Sequence, residues 1–395
     1  MNRLESRRLA VLSRLGQRRE AAAEGTLESQ QAAVAADLSQ RPIDEIVGET
    51  VCNLRRYAER FLDNNAKALA LIEQLKETGK RGLQLSRKEP GHLAHDEPAL
   101  GGLEAIVLAT GERPSFLIRD NAVVPDSSWT PPAEWLQVIS GQSASLAKAL
   151  QCVGRIDVAF NSAEVTPTGS GFLVQENLVL TNRHVAQKFA RQSDSGWRME
   201  HKAWIDFGQE GNGRGEWRRR QIRGVVFAGP DRIHENAIDH QRLDLALLEL
   251  EPPNHSNRTP LWLAIDTRST AVREANAVFV VGYPIDDQDF YPDVLMQMLF
   301  TSDKFLGKKR LAPGRILPGR ELGPTTVKHD ATTIGGNSGS VILRDAGLRF
   351  AAALHYGGSP FQANWAHVLG EVLDLRGSDG TTFREICTRR EVTLG

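Results

Sequence analysis

Two patterns of hydrophobic positions divide the chain. Over residues 1–88, apolar residues recur every three or four positions, which is typical of one face of an α-helix. From residue 151, short apolar runs alternate with glycine, proline and polar turn residues, which is typical of an antiparallel β-protein. We therefore predict an α-helical N-terminal region at 1–88, a connector with short elements at 89–150 and a β-rich domain at 151–395.

In the helical region, Pro42 fits the first turn of the longer helix and Gly79 fits its end. Earlier apolar positions, Leu4, Leu12 and Leu15, follow the same helical spacing. The single apolar face must be buried, and two interpretations are open. It packs within a helical hairpin, or it forms a coiled coil or docks a protein partner.

The connector is rich in proline and glycine and contains one short apolar segment, "LEAIVLATGERPSFLI". The stretch "WLQVISGQSASLAKALQCV" predicts a helix that leads into the β-rich domain. Within that domain, the run "GFLV", the turn "QEN" and the run "LVLT" predict a β-hairpin. The many short strands with few helices between them favour a sandwich or a barrel.

Composition and charge limit the class of protein. The 395 residues are 41% apolar and 25% charged, which suits two or three packed domains. The formal net charge of −1 gives no general attraction to nucleic acid or to an anionic membrane. The three cysteines, Cys52, Cys152 and Cys387, lie too far apart for a disulfide framework or a zinc ribbon. No apolar run is long enough for a membrane span, and the charged N-terminus does not resemble a signal peptide, so we expect a cytoplasmic protein without a nucleic-acid or membrane partner.

The stretch "GGNSGS" at 335–340 raises the question of whether Ser338 is a turn residue or a nucleophile. Glycine collects where the backbone turns sharply or approaches another group closely. A serine hydroxyl becomes a good nucleophile only when a base accepts its proton and a third group orients that base. The chain must therefore supply a histidine and a carboxylate.

Two residues fit those roles. His184 in "TNRHVA" directly follows the predicted hairpin, where a side chain can face a cleft. Asp244 in "RLDLALLEL" lies in an apolar strand, where a carboxylate needs a donor such as an imidazole N–H. Each residue also has a structural explanation: His184 as a surface or core residue, Asp244 as a partner of Arg242, and Ser338 as part of a turn.

The order histidine, aspartate, serine in "TNRHVA", "DLALLEL" and "GGNSGS" resembles the trypsin-like (chymotrypsin-fold) serine peptidases over roughly 150–375. That resemblance implies a mainly β fold with two six-stranded antiparallel β-barrels and an active site between them. It implies that His184 and Asp244 come from the first barrel and Ser338 from the second. The backbone N–H groups of Gly336 and Ser338 would form the oxyanion hole. Neither a cofactor nor a metal is expected.

The chain departs from the secreted digestive members of that family. Asn337 occupies the position of an aspartate that pairs there with a newly cleaved N-terminus. We therefore expect no activation by insertion of a cleaved N-terminus, and the absence of disulfide pairs points to bacterial, intracellular-type relatives. Control by the N-terminal helices, by a partner or by nothing stays open.

The predicted substrate pocket resembles that of bacterial glutamyl endopeptidases. Thr333 and His355 match the positions that hold an acidic P1 side chain in those enzymes, the imidazole in a protonated form if charged recognition is used. No acidic residue occupies the pocket base at Thr332, which makes a basic P1 residue less favourable. Gly357 and Gly358 are expected to leave a strand edge clear for the substrate.

Other residues and motifs are given lesser roles. His329, Asp330 and Tyr356 are expected to support the pocket rather than react. The stretch "GQEGNGRGEWRRRQIRG" lacks the Lys-Ser/Thr of a phosphate-binding loop. The remaining histidines lack metal-site spacing, with only a weak metal-loop signal at His234 and His240.

The sequence therefore predicts a serine endopeptidase that forms an acyl-enzyme on a protein or peptide substrate. Two alternatives stay open. One is a non-catalytic protein-interaction module with a peptidase fold, and the other is an esterase that uses the same triad.

Overall fold

A computed structural model gives the fold. It describes residues 42–61, 66–88, 96, 98–99, 102, 113–124, 133–161, 164–193, 196–211, 218–234, 239–253, 261–273, 277–285, 306–317, 322–345, 348–359 and 363–395. Several sequence predictions lie outside these residues. They concern the first predicted helix with Leu4, Leu12 and Leu15, most of the apolar connector segment, the glycine-rich loop at 212–217 and the loop between His234 and His240.

Seven helices have both ends within the described residues. They are α1 (Ile43–Phe61), α2 (Ala66–Lys88), α3 (Ala133–Gly141), α4 (Ser143–Gln151), α5 (Arg183–Ala186), α6 (Leu369–Val372) and α7 (Phe383–Arg389). None of them is both long enough and apolar enough to cross a membrane. The cytoplasmic location stays a prediction.

The N-terminal helices α1 and α2 pack against each other. The predicted start is confirmed, because the carbonyl of Pro42 accepts hydrogen bonds from the first turn of α1. The predicted end at Gly79 is wrong, since α2 continues to Lys88. A Cβ on Gly102 would lie 2.4 Å from the backbone nitrogen of Gly79, so position 102 needs a glycine where the chain passes α2.

Six antiparallel strands close the first β-barrel. In order around the barrel they are β10 (Ala246–Leu250), β5 (Leu178–Thr181), β4 (Thr166–Gln175), β3 (Val153–Ala159), β8 (Lys202–Asp206) and β9 (Arg219–Ala228). The hairpin predicted around "QEN" is confirmed as β4 and β5. Its apolar run is buried because alternate side chains, such as Phe172 and Leu180, face the barrel core.

Nine strands form the second sheet. In order they are β14 (Ile316–Leu317), β15 (Thr326–His329), β19 (Ala363–Val368), β18 (Ala353–Ser359), β16 (Val341–Arg344), β12 (Val278–Gly282), β13 (Arg310–Gly314), β1 (Phe116–Arg119) and β2 (Ala122–Val124). Two small pairs complete the strands: β6 (Ala190–Ser193) with β7 (Gly196–Met199), and β11 (Ala264–Ile265) with β17 (Phe350–Ala351).

The predicted mainly β fold with N-terminal helices is confirmed, and so is one closed six-stranded barrel. The predicted second barrel is not confirmed, because the second sheet is an open sheet of nine strands in the described part of the chain. It stays a prediction.

Part of the predicted connector joins this second sheet. Strands β1 and β2 form a hairpin whose turn residues Asp120 and Asn121 have φ values of 51° and 57°. Two consecutive residues with positive φ match the right-handed twist of a two-residue hairpin. Strand β1 then pairs antiparallel with β13, so the chain N-terminal to the first barrel extends the sheet in which the substrate pocket is predicted.

Candidate active site

His184 and Asp244 lie together at one end of the first barrel. Asp244 Oδ2 lies 2.5 Å from His184 Nδ1, and Asp244 Oδ1 accepts the backbone N–H of His184 at 2.9 Å. Both side chains are largely buried, with 11% and 6% of their surface exposed. The carboxylate therefore fixes both the ring and the backbone of the histidine. The alternative partner, Arg242, pairs instead with Asp239.

The backbone of Asp244 is held from two sides. The Asn182 side chain donates to the Asp244 carbonyl at 2.8 Å, and the Asp244 N–H donates to His367 Nε2 at 3.0 Å. Asn182 immediately precedes α5, the short helix that carries His184. The same few residues thus set the positions of the carboxylate and the imidazole.

His367 can accept that bond because its ring stays neutral. Burial is the main reason that the pKa of His367 falls to about 4. The ring stacks on Tyr356, with centroids 4.3 Å apart, and the Tyr356 hydroxyl lies 2.7 Å from His240 Nδ1. Tyr356 thus contacts the His184–Asp244 site through His367, whereas its expected role in supporting the pocket stays a prediction. Nothing in the sequence around His367 distinguishes it from the histidines without a predicted role.

The loop that carries Ser338 needs its glycines. Gly336 and Gly339 have φ values of +87° and +86°, which favour glycine. A Cβ on Gly339 would lie 2.0 Å from the carbonyl oxygen of Ser170, and one on Gly336 would lie 2.5 Å from that of Tyr283. These contacts explain the spacing of "GGNSGS": the loop is pressed against the first barrel and the adjacent strand end.

Asn337 is bonded within this loop. Its side-chain nitrogen donates to the Ile334 carbonyl at 3.2 Å, and its side-chain oxygen accepts from the Ser340 hydroxyl at 3.3 Å. The neutral amide therefore closes the loop on itself, which an aspartate could not do in the same way because it has no N–H to donate.

Ser170 on β4 joins the first barrel to the nucleophile loop. Its N–H donates to the Ser338 carbonyl at 2.8 Å, and its hydroxyl donates to the Gly336 carbonyl at 2.8 Å. The same hydroxyl accepts from the Tyr283 N–H at 2.9 Å. Ser170 is fully buried, and it contacts both residues predicted to form the oxyanion hole. Sequence reasoning missed it, although the motif "GSGF" contains a polar residue in an otherwise apolar strand.

Ser338 is half-buried and lies close to the histidine segment. A Cβ on Gly169 would lie 2.9 Å from Val185, the residue after His184, and 3.2 Å from the Ser338 carbonyl. The N–H of Gly339, the residue after Ser338, donates to the His355 carbonyl at 3.0 Å. The nucleophile candidate, the histidine segment and the predicted pocket strand therefore meet.

The two predicted pocket side chains are engaged within the protein. The Thr333 hydroxyl donates to Asn364 Oδ1 at 2.6 Å, and His355 Nδ1 lies 3.2 Å from His329 Nε2. His355 is buried, and this burial, with smaller contributions from His329 and His184, holds its pKa well below the usual range. This burial favours the neutral imidazole of His355 over the protonated form suggested from the sequence.

Comparisons with known proteins indicate the class of protein. Residues 169–350 match the model of the trypsin-like peptidase domain. A Lysobacter enzymogenes protein described as a probable serine protease is 29% identical over 321 residues, covering 75% of this chain and 79% of the relative.

Two solved structures also match. One is described as "Structure of GrC" and the other as neuropsin, a serine protease expressed in the limbic system of mouse brain. Each is 14% identical and covers 57% of this chain, with 91% and 92% of the other chain and TM-scores of 0.38 and 0.39. Similarity this low carries no argument about the chain.

The fold and the family match define a serine hydrolase of the peptidase class. Residues 169–350 form a trypsin-like peptidase domain.

Replacing Ser170 tests how the two residues predicted to form the oxyanion hole, Gly336 and Ser338, are held in position. In Ser170→Ala, the buried Gly336 carbonyl and Tyr283 N–H lose their partner, which costs about 1–3 kcal/mol of stability. We expect kcat to fall about tenfold or more, because the loop that carries Ser338 shifts. Thr168→Val is the matched control, since it removes another buried hydroxyl from β4, one that bonds within the barrel to Ile156. Equal losses of stability with kcat unchanged in both variants would contradict this role.

Proposed function

We propose that this peptidase acts through a triad of Ser338, His184 and Asp244. The Ser338 oxygen attacks the carbonyl carbon of the scissile peptide bond while His184 Nε2 accepts the hydroxyl proton. His184 then gives that proton to the leaving amine as the C–N bond breaks, which leaves an ester between Ser338 and the acyl group. Water, deprotonated in turn by His184, hydrolyses the ester and restores the serine.

One observation carries this proposal: the 2.5 Å contact between His184 Nδ1 and Asp244 Oδ2 within a buried site. A carboxylate on Nδ1 keeps the proton there, so that Nε2 stays available as the base. The same carboxylate stabilises the imidazolium that forms during attack. Asn182 and His367 act on the backbone of Asp244 and orient it.

The N–H groups of Gly336 and Ser338 are proposed as the oxyanion hole. Among the bonds between described residues, neither N–H donates to another protein group. The positive φ of Gly336 and the bond from Ser170 to its carbonyl set the direction of this peptide. Two fixed donors that are free to bind the developing oxyanion each contribute about 3 kcal/mol to transition-state stabilisation.

The substrate is proposed to add as a strand along β18. Strand β16 pairs with β18 only at Ala353 and Leu354. Beyond them, Gly357 and Gly358 pair with β19 alone within the described residues, and Gly358 is exposed. Main-chain groups on the other side of these glycines would then bond the substrate backbone, as in other cases of strand addition.

The pairing pattern also supports the second barrel. Strands β13 and β14 are separated by one residue, Arg315, and they pair with β12 and β15 respectively. The remaining pairs run from β12 through β16, β18 and β19 to β15. We infer that the segment 310–317 bends at Arg315, so that its first part pairs with β12 and its second part pairs with β15. The segment would then close the row of strands into a barrel. Six strands would then enclose an apolar core that includes Val280 and Ile342.

The proposed substrate class is a peptide with an acidic P1 residue, held by Thr333 and His355. When His329 Nε2 donates to His355 Nδ1, His355 carries its proton on Nε2 and is a neutral donor. The Thr333 hydroxyl supplies a second donor once it turns from Asn364. A bound carboxylate would also favour protonation of His355 and oppose the effect of burial.

Substitution of these two residues tests the P1 preference. In Thr333→Val and His355→Gln, we expect the ratio of kcat/KM for glutamate over alanine at P1 to fall by about 10 to 10², since a hydrogen bond to a charged group contributes about 1.5–3 kcal/mol. Thr388→Val is the control, because that hydroxyl bonds only within α7. A wild-type ratio close to one, measured on a peptide library, would rule out acidic specificity.

Hydrolysis of a denatured protein such as casein distinguishes the endopeptidase from the two alternatives. We expect peptide-bond cleavage by the wild type and none by Ser338→Ala. Turnover of p-nitrophenyl esters without peptide cleavage would favour an esterase, and binding without any turnover would favour an interaction module. Control by the helical region 1–88, and a protein partner bound there, stay predictions from the sequence.

A further inference from the structure

The segment 113–115, which precedes β1, lies directly against the proposed P1 pocket. The Thr332 hydroxyl donates to the Arg113 carbonyl at 2.6 Å, and Arg113 Nη2 donates to Asp330 Oδ2 at 2.7 Å. Thr332 and Asp330 belong to the approach to Ser338, the same segment that carries Thr333. A chain segment far away in sequence thus makes both a backbone and a side-chain contact with the pocket.

Asp330 links this segment to a second element. Its other oxygen, Oδ1, accepts the backbone N–H of Arg315 at 2.7 Å, and its own N–H donates to the Arg315 carbonyl at 3.2 Å. Both side chains of the Arg113–Asp330 ion pair are mostly buried, with 25% and 12% exposed. A partly buried pair of this kind is more strongly coupled than an exposed one, because water screens it less.

Arg113 is itself held in place from several directions. Its guanidinium carbon and that of Arg315 each lie 5.5 Å from the ring centroid of Trp135, which is buried on α3. Two residues further on, the Ser115 carbonyl accepts from the Arg310 side chain at 2.7 Å. The antiparallel pairing of β1 with β13 then continues this attachment. The segment is therefore a fixed part of the peptidase fold.

The pocket segment needs such support. Residues 331–340 contain neither helix nor strand, so that ordering them costs conformational entropy that regular hydrogen bonding does not offset. Asn337 closes the C-terminal half of this loop but, being neutral, forms no ion pair. The ion pair in this loop region is made by Asp330, with Arg113.

We propose that Arg113 is a positioning residue that fixes the substrate pocket, so that the chain N-terminal to the first barrel supplies part of the specificity site. The inference rests on the proposed function, since it assumes that residues 330–333 border the P1 side chain. If Arg113 has this role, substrates whose P1 side chain binds in the pocket need Arg113. The bond-breaking steps at Ser338 need it much less.

The experiment compares two substrates on the full chain. We expect Arg113→Ala to lower kcat/KM for the best peptide about 10²-fold, mainly through KM, because small displacements of positioning groups have effects of that size. Hydrolysis of p-nitrophenyl acetate, which has no P1 side chain, should fall far less. Arg113→Lys should recover part of the peptide activity, and Thr332→Val should show a smaller loss of the same kind. Arg384→Ala is the control, since it removes an arginine–carboxylate pair with Asp374 in the C-terminal segment.

The outcomes separate the two hypotheses. Equal losses toward peptide and ester, accompanied by a lower Tm, would assign Arg113 a purely structural role and overturn this inference. Unchanged peptide kinetics in both Arg113→Ala and Thr332→Val would also overturn it. A wild-type protein that hydrolyses neither substrate, or a Ser338→Ala variant that still hydrolyses both, would instead overturn the proposed function.

Discussion

Ser338→Ala is expected to lose peptide hydrolysis by a factor of about 10⁶ in kcat, the size of effect seen when the nucleophile of such a triad is removed. The substitution removes only the hydroxyl, and the loop is held by groups that the variant keeps: the bonds of Ser170 to the carbonyls of Gly336 and Ser338. We therefore expect an unchanged Tm. The measurement is kcat for a peptide substrate together with thermal unfolding.

The matched control is Ser140→Ala, which removes an exposed hydroxyl that bonds within α3 to the Gln137 carbonyl. This variant should retain most of the activity. Full activity in Ser338→Ala would show that another group performs the attack, and it would leave Ser338 as a turn residue, the structural explanation that the sequence alone kept open.

Asp244→Asn is expected to lower kcat about 10⁴-fold with little change in KM. Asp244 accepts two bonds from His184, one from the backbone N–H and one at Nδ1. An asparagine has one acceptor oxygen, so that if it keeps the backbone bond, its NH₂ group faces Nδ1. The ring would then carry its proton on Nε2, where it cannot accept the proton of Ser338.

Asp374→Asn serves as the control for this charge change, because Asp374 pairs with Arg384 on the surface of the C-terminal segment. It should leave kcat unaltered. A loss of less than tenfold in Asp244→Asn would mean that the carboxylate does not orient the base. A similar loss in both variants would point to a general effect of charge.

The sequence predicted those features that depend on local pattern. The hairpin before His184 follows from two apolar runs around a polar turn, and the close approach of the Ser338 loop follows from its glycines, whose missing Cβ atoms leave room for Ser170 and Tyr283. The helix end predicted at Gly79 is wrong because α2 continues to Lys88, and a glycine inside a helix looks the same in the sequence as a glycine at its end.

The features that the sequence did not predict depend on contacts between distant segments. The Ser170 hydroxyl bonds to the carbonyl of Gly336, which lies 166 positions later in the chain. His367 accepts a bond from Asp244, which lies 123 positions earlier. Neither residue lies in a recognisable local motif for its role. The low pKa of His355 likewise arises from burial beside His329 and His184, and only the folded arrangement determines burial.

The contacts of Arg113 belong to the same group of long-range contacts. A proline- and glycine-rich connector is typical of a linker, and the pattern gives no sign that Arg113 meets Asp330, 217 positions away. A truncated protein that begins near residue 136 would lack both Arg113 and the β1–β2 hairpin. Comparison of the full-length and truncated proteins would therefore report on pocket support as well as on the N-terminal helices.

The measurement that most directly tests the central claim is peptide mapping by mass spectrometry after reaction with a fluorophosphonate. Such a probe reacts with an activated serine, whose oxygen bonds to phosphorus as fluoride leaves. We predict one phosphonyl group on the peptide that contains Ser338, absent when the protein is unfolded beforehand and absent in His184→Ala. A modification at another residue, or an unmodified Ser338 in the folded wild type, would contradict the account.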